Sequence, residues 1–365
     1  MGNENLMQFA DKGEVSPQLL GVFYCIAIAL VSHATAPFLT PSNPFVLSLI
    51  YGVLIANLTG IPKSFVPGIK YSAHQIMQMT IAALGIVTSV SGLTYFGLGL
   101  LGSFFIVFPT FALSQWLGER LNMSPNQAML IGAGASISGA SAIFETAMRI
   151  EGSEEEIGAA VKGTAVFGLI SMLLYSLLFA PSRLNRSFCL SREVYSILVG
   201  SGINEASYVA GAAGFLGFEA ISLALAIKIA RMFMIGPGVF FFSHVLRRDK
   251  SAASRRTAVT SYLPLYGLAF LLCGILHAYI DAFSPLPISM AKSWNELENA
   301  LKVTILPLLL SIALAGSGSQ VNVREFLRAE GNYMRLAAFT TLVVGLLSLV
   351  TTLIALQVLP FVIKS

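Results

Sequence analysis

The apolar positions of this chain fall in long unbroken runs and do not alternate with polar ones. Eleven runs are legible, at about 19–37, 44–60, 71–90, 94–117, 127–148, 157–181, 194–213, 219–245, 258–281, 300–318 and 335–361. A membrane-crossing helix needs roughly 20 apolar residues, whereas a strand of a transmembrane barrel alternates over about ten. The pattern therefore predicts an all-α polytopic membrane protein with about 11 transmembrane helices. Pro37, Pro41 and Pro44 punctuate the first turn. Ser124-Pro125-Asn126-Gln127 reads as a capping box with proline at the first helical position, opening the fifth run. Ser153 followed by Glu154, Glu155 and Glu156 reads as another helix start.

Composition sharpens this. The chain is 55% hydrophobic and 11% charged, against roughly 25% charged in soluble domains. That excludes a soluble protein of this length. Fifteen of the 22 Lys and Arg residues fall in loops that alternate onto one side, and four (Arg149, Lys292, Lys302, Lys364) fall on the other. Lys162, Lys228 and Arg231 lie within runs. The positive-inside rule then puts the N-terminus in the cytoplasm and the C-terminus outside, in a bacterial-type inner membrane. The basic run Arg247, Arg248, Lys250, Arg255 and Arg256 is a topology signal, so the net charge of +4 points to the bilayer and not to nucleic acid. Trp294, in the longest outer loop with Pro285 and Pro287, suits an interface anchor. Ala34-Thr35-Ala36 resembles a signal cleavage site, but Glu4, Asp11 and Glu14 outweigh Lys12, so the first run reads as a retained span.

Cys25, Cys189 and Cys273 are scattered, and the four histidines (His33, His74, His244, His277) lack metal-ligand spacing. Neither a metal nor another cofactor is expected. No GxxxxGK[ST] pattern is present, so transport would draw on a gradient. One run followed by ten suggests an N-terminal segment and first helix (1–43) and two five-helix repeats, 44–181 and 194–361. Five is odd, so such repeats are inverted, which places substrate near the midplane on interrupted helices.

Four polar constellations stand out within the runs. The first, IGAGASISGASAIFETA at 131–147, holds Gly134, Ser136, Ser138, Gly139, Ser141 and then Glu145. It reads either as an interrupted helix that turns backbone N–H groups and hydroxyls toward an anion, or as tight helix packing on small residues. The second, GSGINEASYVAGAA at 200–213, puts Asn204, Glu205, Ser207 and Tyr208 in mid-span. Glu205 is the least ambiguous intramembrane carboxylate and the coupling-ion candidate; a salt bridge to a neighbouring helix is the alternative. In the third, Lys228 and Arg231 lie one turn apart, before Gly236-Pro237-Gly238. They suit an anion between them or neutralisation by Glu205. The fourth, Gly316, Ser317, Gly318 and Ser319, followed by Gln320, lies five runs after the first and is a second interrupted-helix candidate or a plain helix end. Gln75, Gln78 and Thr80 are weaker hints.

At these residues the chain resembles the YeiH-type inner-membrane proteins, commonly labelled sulfate or sulfonate exporters. GASISGASAI resembles that family's glycine/serine signature, with Ser138 where a cysteine is usual. GSGINEASYVAGAA resembles its G-x-x-x-H-[DE]-x-x-Q-V-V-A-A segment, keeping the acid as Glu205 but with Asn204 for histidine and Tyr208 for glutamine. AIKIARMFMIGP resembles its K-x-x-R-V-x-x-x-A-P, keeping Lys228, Arg231 and Pro237. LLLSIALAGSGSQVNVREFLRAEG resembles its late A-x-x-x-x-G-L-x-T segment. The resemblance runs from about 70 to 345. It implies an inverted-repeat secondary transporter, not an enzyme, that exports a small anion of the sulfate, sulfite or organosulfonate class. The substrate-binding residues would be Gly134, Ser136, Ser138, Gly139, Ser141, Asn204, Tyr208, Lys228 and Arg231. H⁺ or Na⁺ would be the coupling ion, and a homo-oligomer is compatible with the sequence. Asn204 cannot shuttle a proton as histidine does. A monovalent cation/proton antiporter of the same general fold is the alternative, with Glu205 as ion ligand.

Overall fold

The computed structural model describes residues 16–39, 43–88, 90–179, 190–238, 241, 264–283, 288–323 and 331–362. The basic run 247–256, Pro285, Pro287, Cys189 and His244 lie outside them, as do the acidic residues of the N-terminal segment. Among the described residues there are helices and no strands. Among the described residues six helices are long and apolar enough to cross a membrane, and Pro44–Thr59, Ala206–Leu216 and Leu265–Ile280 are shorter apolar ones. The protein is an all-α polytopic membrane protein.

Two compact units are formed, Met1–Thr80 with Pro307–Asn322, and Ile81–Leu306 with Val323–Ser365. The smaller unit contains α1 (Pro17–Thr35), α2 (Pro44–Thr59), α3 (Val66–Tyr71) and the body of a later helix, Leu306–Ser319. Ser16 caps α1 and the Asn43 side chain caps α2, each with proline at the helix start. Its helices meet backbone to backbone through glycine. Gly21 and Gly68 face each other so closely that a Cβ on either would overlap the other helix's main chain. Polar links across it include His33 Nε2 to Ser311 Oγ at 2.9 Å, Thr35 Oγ1 to Tyr51 Oη at 3.0 Å, and Asn57 Nδ2 donating to Val321 O at 2.7 Å.

The larger unit is built on α4 (Val90–Arg120), α5 (Pro125–Ala133), α6 (Gly139–Ile150), α7 (Glu154–Phe179), α8 (Arg192–Gly202), α9 (Ala206–Ala213), α10 (Phe218–Met232) and α11 (Gly331–Val362). Both starts that the sequence marks are present. Ser124 Oγ accepts from Gln127 N at 3.1 Å while Gln127 Oε1 accepts from Ser124 N at 2.9 Å. Ser153 and Glu156 exchange the same pair of bonds before α7. The α5–α6 segment is the most enclosed long helix: 78% of its apolar window is buried, against 28–44% for the other five. The helix after Phe218 stops at Met232, ahead of Pro237, and is shorter than its apolar run.

Candidate functional site

Two helices of the larger unit are broken, and the breaks meet. In the first, α5 runs through a π turn at Gly134–Ser138 and restarts as α6 at Gly139. Gly139 has φ +53° and ψ −134°, a conformation that side chains disfavour. A Cβ there would also overlap the Glu205 carboxylate. In the second, α8 ends at Gly202, Ile203 and Glu205 have extended dihedrals with a bend at 204–205, and α9 starts at Ala206. The sequence offered 316–319 as a candidate for the second interruption. The structure puts it at 203–205 and corrects that candidate: Gly316, Ser317, Gly318 and Ser319 lie in the continuous helix Leu306–Ser319 of the smaller unit. Its polar side chains bond back to the same helix, Ser319 Oγ to Ala315 O at 2.8 Å and Gln320 Nε2 to Gly316 O at 3.4 Å. Gly318 meets Leu49 main chain, and a Cβ on Gly316 would come within 2.9 Å of Ala73 N and Ile69 O.

A broken helix leaves carbonyls without partners at the end of its first half. In lipid that loss is severe, because no water replaces the missing bonds. Here α10 fills the gap. Lys228 Nζ donates to Ile137 O (2.8 Å), Ile203 O (3.2 Å) and Asn204 O. Arg231 donates through Nε to Ile137 O (3.1 Å), and through its two terminal nitrogens to Ser201 O and Ile203 O. Both cations are buried, and no other Lys, Arg, Asp or Glu among the described residues is. They sit at the C-terminal ends of α5 and α8, where each helix dipole presents about half a negative charge. Their mutual repulsion is offset by four carbonyls, two of them shared. Close approach of α10 allows this: Cβ atoms on Gly99 and Gly200 would strike the Ile227 and Ala224 backbone.

The sequence-predicted residues divide by what they touch. Ser136 Oγ donates to Gly132 O at 2.7 Å. Ser138 and Ser141 pair at 2.8 Å, and Ser141 Oγ donates to Ser138 O. Asn204 Nδ2 donates to Thr164 O at 2.7 Å, while its Oδ1 lies against Gly168, where only glycine leaves room. Tyr208 is buried beside Gly168. Gly134 packs on Ile143 and Thr164. Glu205 is half-buried and within electrostatic reach of Lys228, Tyr208 and Tyr266. Glu145 lies half-buried on α6. Gln75 and Gln78 are exposed in the smaller unit, and Thr80 bonds back to Ile76 O. Trp294 lies edge-on to His277, 5.9 Å between centroids.

Sequence reasoning passed over several neighbours of the breaks. Tyr175 and Ser348 pair at 3.2 Å over Gly202, whose Cβ would come within 2.8 Å of Ser348 Oγ. Their signal was one hydroxyl among several in each of two apolar spans, which nothing in the sequence singles out. Thr164 contributes a main-chain carbonyl, which no residue type announces. Ser207 Oγ and Asn204 Oδ1 are buried without a hydrogen-bond partner among the described residues.

Fold and site together define a polytopic membrane protein with two interrupted helices whose breaks are held together by buried cations. A family profile described as conserved hypothetical protein 698 matches residues 19–337. The UPF0324 membrane protein of Bartonella henselae is 26% identical over 90% of this chain and 91% of its own length. That of Corynebacterium glutamicum is 27% identical over 92% of each, and that of Pseudomonas aeruginosa 28% over 82% of this chain and 83% of its own. The chain belongs to the UPF0324, or YeiH-type, family of membrane proteins.

Proposed function

We propose that this protein is a secondary transporter that exports a small anion across a bacterial-type inner membrane, N-terminus inside and C-terminus outside. One observation carries the proposal: the breaks of two helices meet inside a membrane-spanning unit, at buried cations. Non-helical backbone at membrane depth is tolerated where protein or a water-filled cavity surrounds it, and transporters use such breaks to bind solute. Two buried cations against the single carboxylate of Glu205 leave the site positive, which favours an anion. The substrate class, sulfate, sulfite or an organosulfonate, comes from the family resemblance. On this reading the paired breaks mark the two inverted repeats, 44–181 and 194–361. Lys228 and Arg231 act through the backbone they hold, and Glu205 carries the coupling ion, H⁺ or Na⁺.

Monovalent cation/proton antiport is favoured by a different observation: both cations are committed to carbonyls, while Glu205 is half-exposed. Solid-supported-membrane currents from the reconstituted protein separate the two. Jumps of sulfite, sulfate, taurine or sulfoacetate evoke current if the anion reading holds. Silence to all four, with a Na⁺ or pH response that Glu205→Gln removes, overturns it for the antiporter.

A further inference from the structure

The N-terminal ends of the two second half-helices meet at one contact. Glu205 is the residue that precedes α9, and its carboxylate lies against Gly139, the first residue of α6. Neither helix is capped by its own flanking side chain: Ser138 makes no cap to α6, and Glu205 makes none to α9. The Gly139 N–H is taken by Gly134 O, but the next N–H groups of each start have no partner within their own helix, and each start carries about half a positive charge. The carboxylate of one break therefore sits on the helix start of the other.

A second observation concerns the first turn of α9. Ser207, in the first turn of α9, is 2% exposed, and its hydroxyl has no partner. The serines of the first break are all paired, with a carbonyl or with each other. The unused donor lies at 207 and not in the glycine/serine signature. Lys228 lies close by, bonded to Asn204 O three residues before it.

Resting on the anion-transport reading, we propose that Glu205 is a tethered stand-in for the transported ion. A small oxyanion binds between the starts of α6 and α9 in place of the Glu205 carboxylate, held by the Ser207 hydroxyl and the first-turn N–H groups of both helices. A carboxylate and a sulfur oxyanion share the relevant chemistry: negative charge spread over oxygens that accept from convergent donors. Two anions cannot share one such point, so the side chain must leave as the solute arrives. Negative charge at 205 is then a competitor of substrate, and removing it tightens binding.

The test is equilibrium titration of the purified full-length protein with sulfite, sulfate, taurine and sulfoacetate, by ligand-induced shift of the melting temperature. Glu205→Gln keeps the shape and removes the charge; Glu205→Ala gives the same direction should the glutamine variant fold poorly. The expected result is binding at least about tenfold tighter, about 1.4 kcal/mol. Ser207→Ala should bind about tenfold more weakly, with a ligand-free melting temperature unchanged or raised, because the lost hydroxyl has no partner. Thr110→Ala, whose hydroxyl bonds back to Ile106 O on α4, should bind like the wild type. Unchanged or weaker binding in the position-205 variants, or wild-type binding in Ser207→Ala, overturns the proposal. Silence of both the wild type and Glu205→Gln to all four anions overturns the transport reading itself.

Discussion

The segments 131–141 and 313–319 have nearly the same composition and opposite fates. Both are glycines and serines in an apolar run. The first breaks at Ser138-Gly139, and Lys228 and Arg231 bond to the freed Ile137 carbonyl. The second stays helical to Ser319, and its glycines serve only to bring Leu49, Ile69 and Ala73 backbone close. The difference lies outside either segment. A helix can stay broken in lipid only if something accepts the cost of its orphan carbonyls, and α10 supplies two cations to one of them. Small residues permit both outcomes; the partner helix decides.

The largest expected effect is on that clamp. Each cation alone leaves one carbonyl orphaned, Asn204 O or Ser201 O, because Ile137 O and Ile203 O are shared. Lys228→Met or Arg231→Met should each destabilise by about 1–3 kcal/mol. The double variant orphans all four and should lose well over the sum, read as a non-additive fall in melting temperature. Additive losses would mean that the two cations do not act on a common backbone.

Gly139→Ala and Gly316→Ala come next. The first meets a disfavoured φ and the Glu205 carboxylate, and should cost about 2–4 kcal/mol. The second meets Ala73 and Ile69 backbone at 2.9 Å and Ser72 Cβ at 3.1 Å, with no disfavoured φ, and should cost about 1–3 kcal/mol. The same thermal melts check both. The smallest effect is Ser141→Ala, which removes the pair with Ser138 for about 0.5–1.5 kcal/mol.

Much of this was legible in the sequence. The uninterrupted apolar runs dictate the fold class, and the capping signals at Ser124 and Ser153 set helix starts, because both depend on local chemistry. Lys228, Arg231 and Glu205 stand out because charge at membrane depth needs a reason. What the two cations touch was not legible. They looked like an anion site, and their partners are main-chain carbonyls, which carry no residue identity. The stretch 203–205 contains no glycine or proline, so its break rests on tertiary contacts: the cations on its carbonyls and Asn204 on Thr164 O. The serines of 136–141 attracted attention by composition, whereas the unpaired hydroxyl is Ser207, indistinguishable by type.

The comparison is tested most directly by anion-jump currents recorded side by side from liposomes containing Gly139→Ala and Gly316→Ala, at matched amounts of folded protein. The account predicts that the wild-type response is lost in Gly139→Ala and kept in Gly316→Ala. Current kept in the first and lost in the second would contradict it and move the functional centre to the unbroken segment.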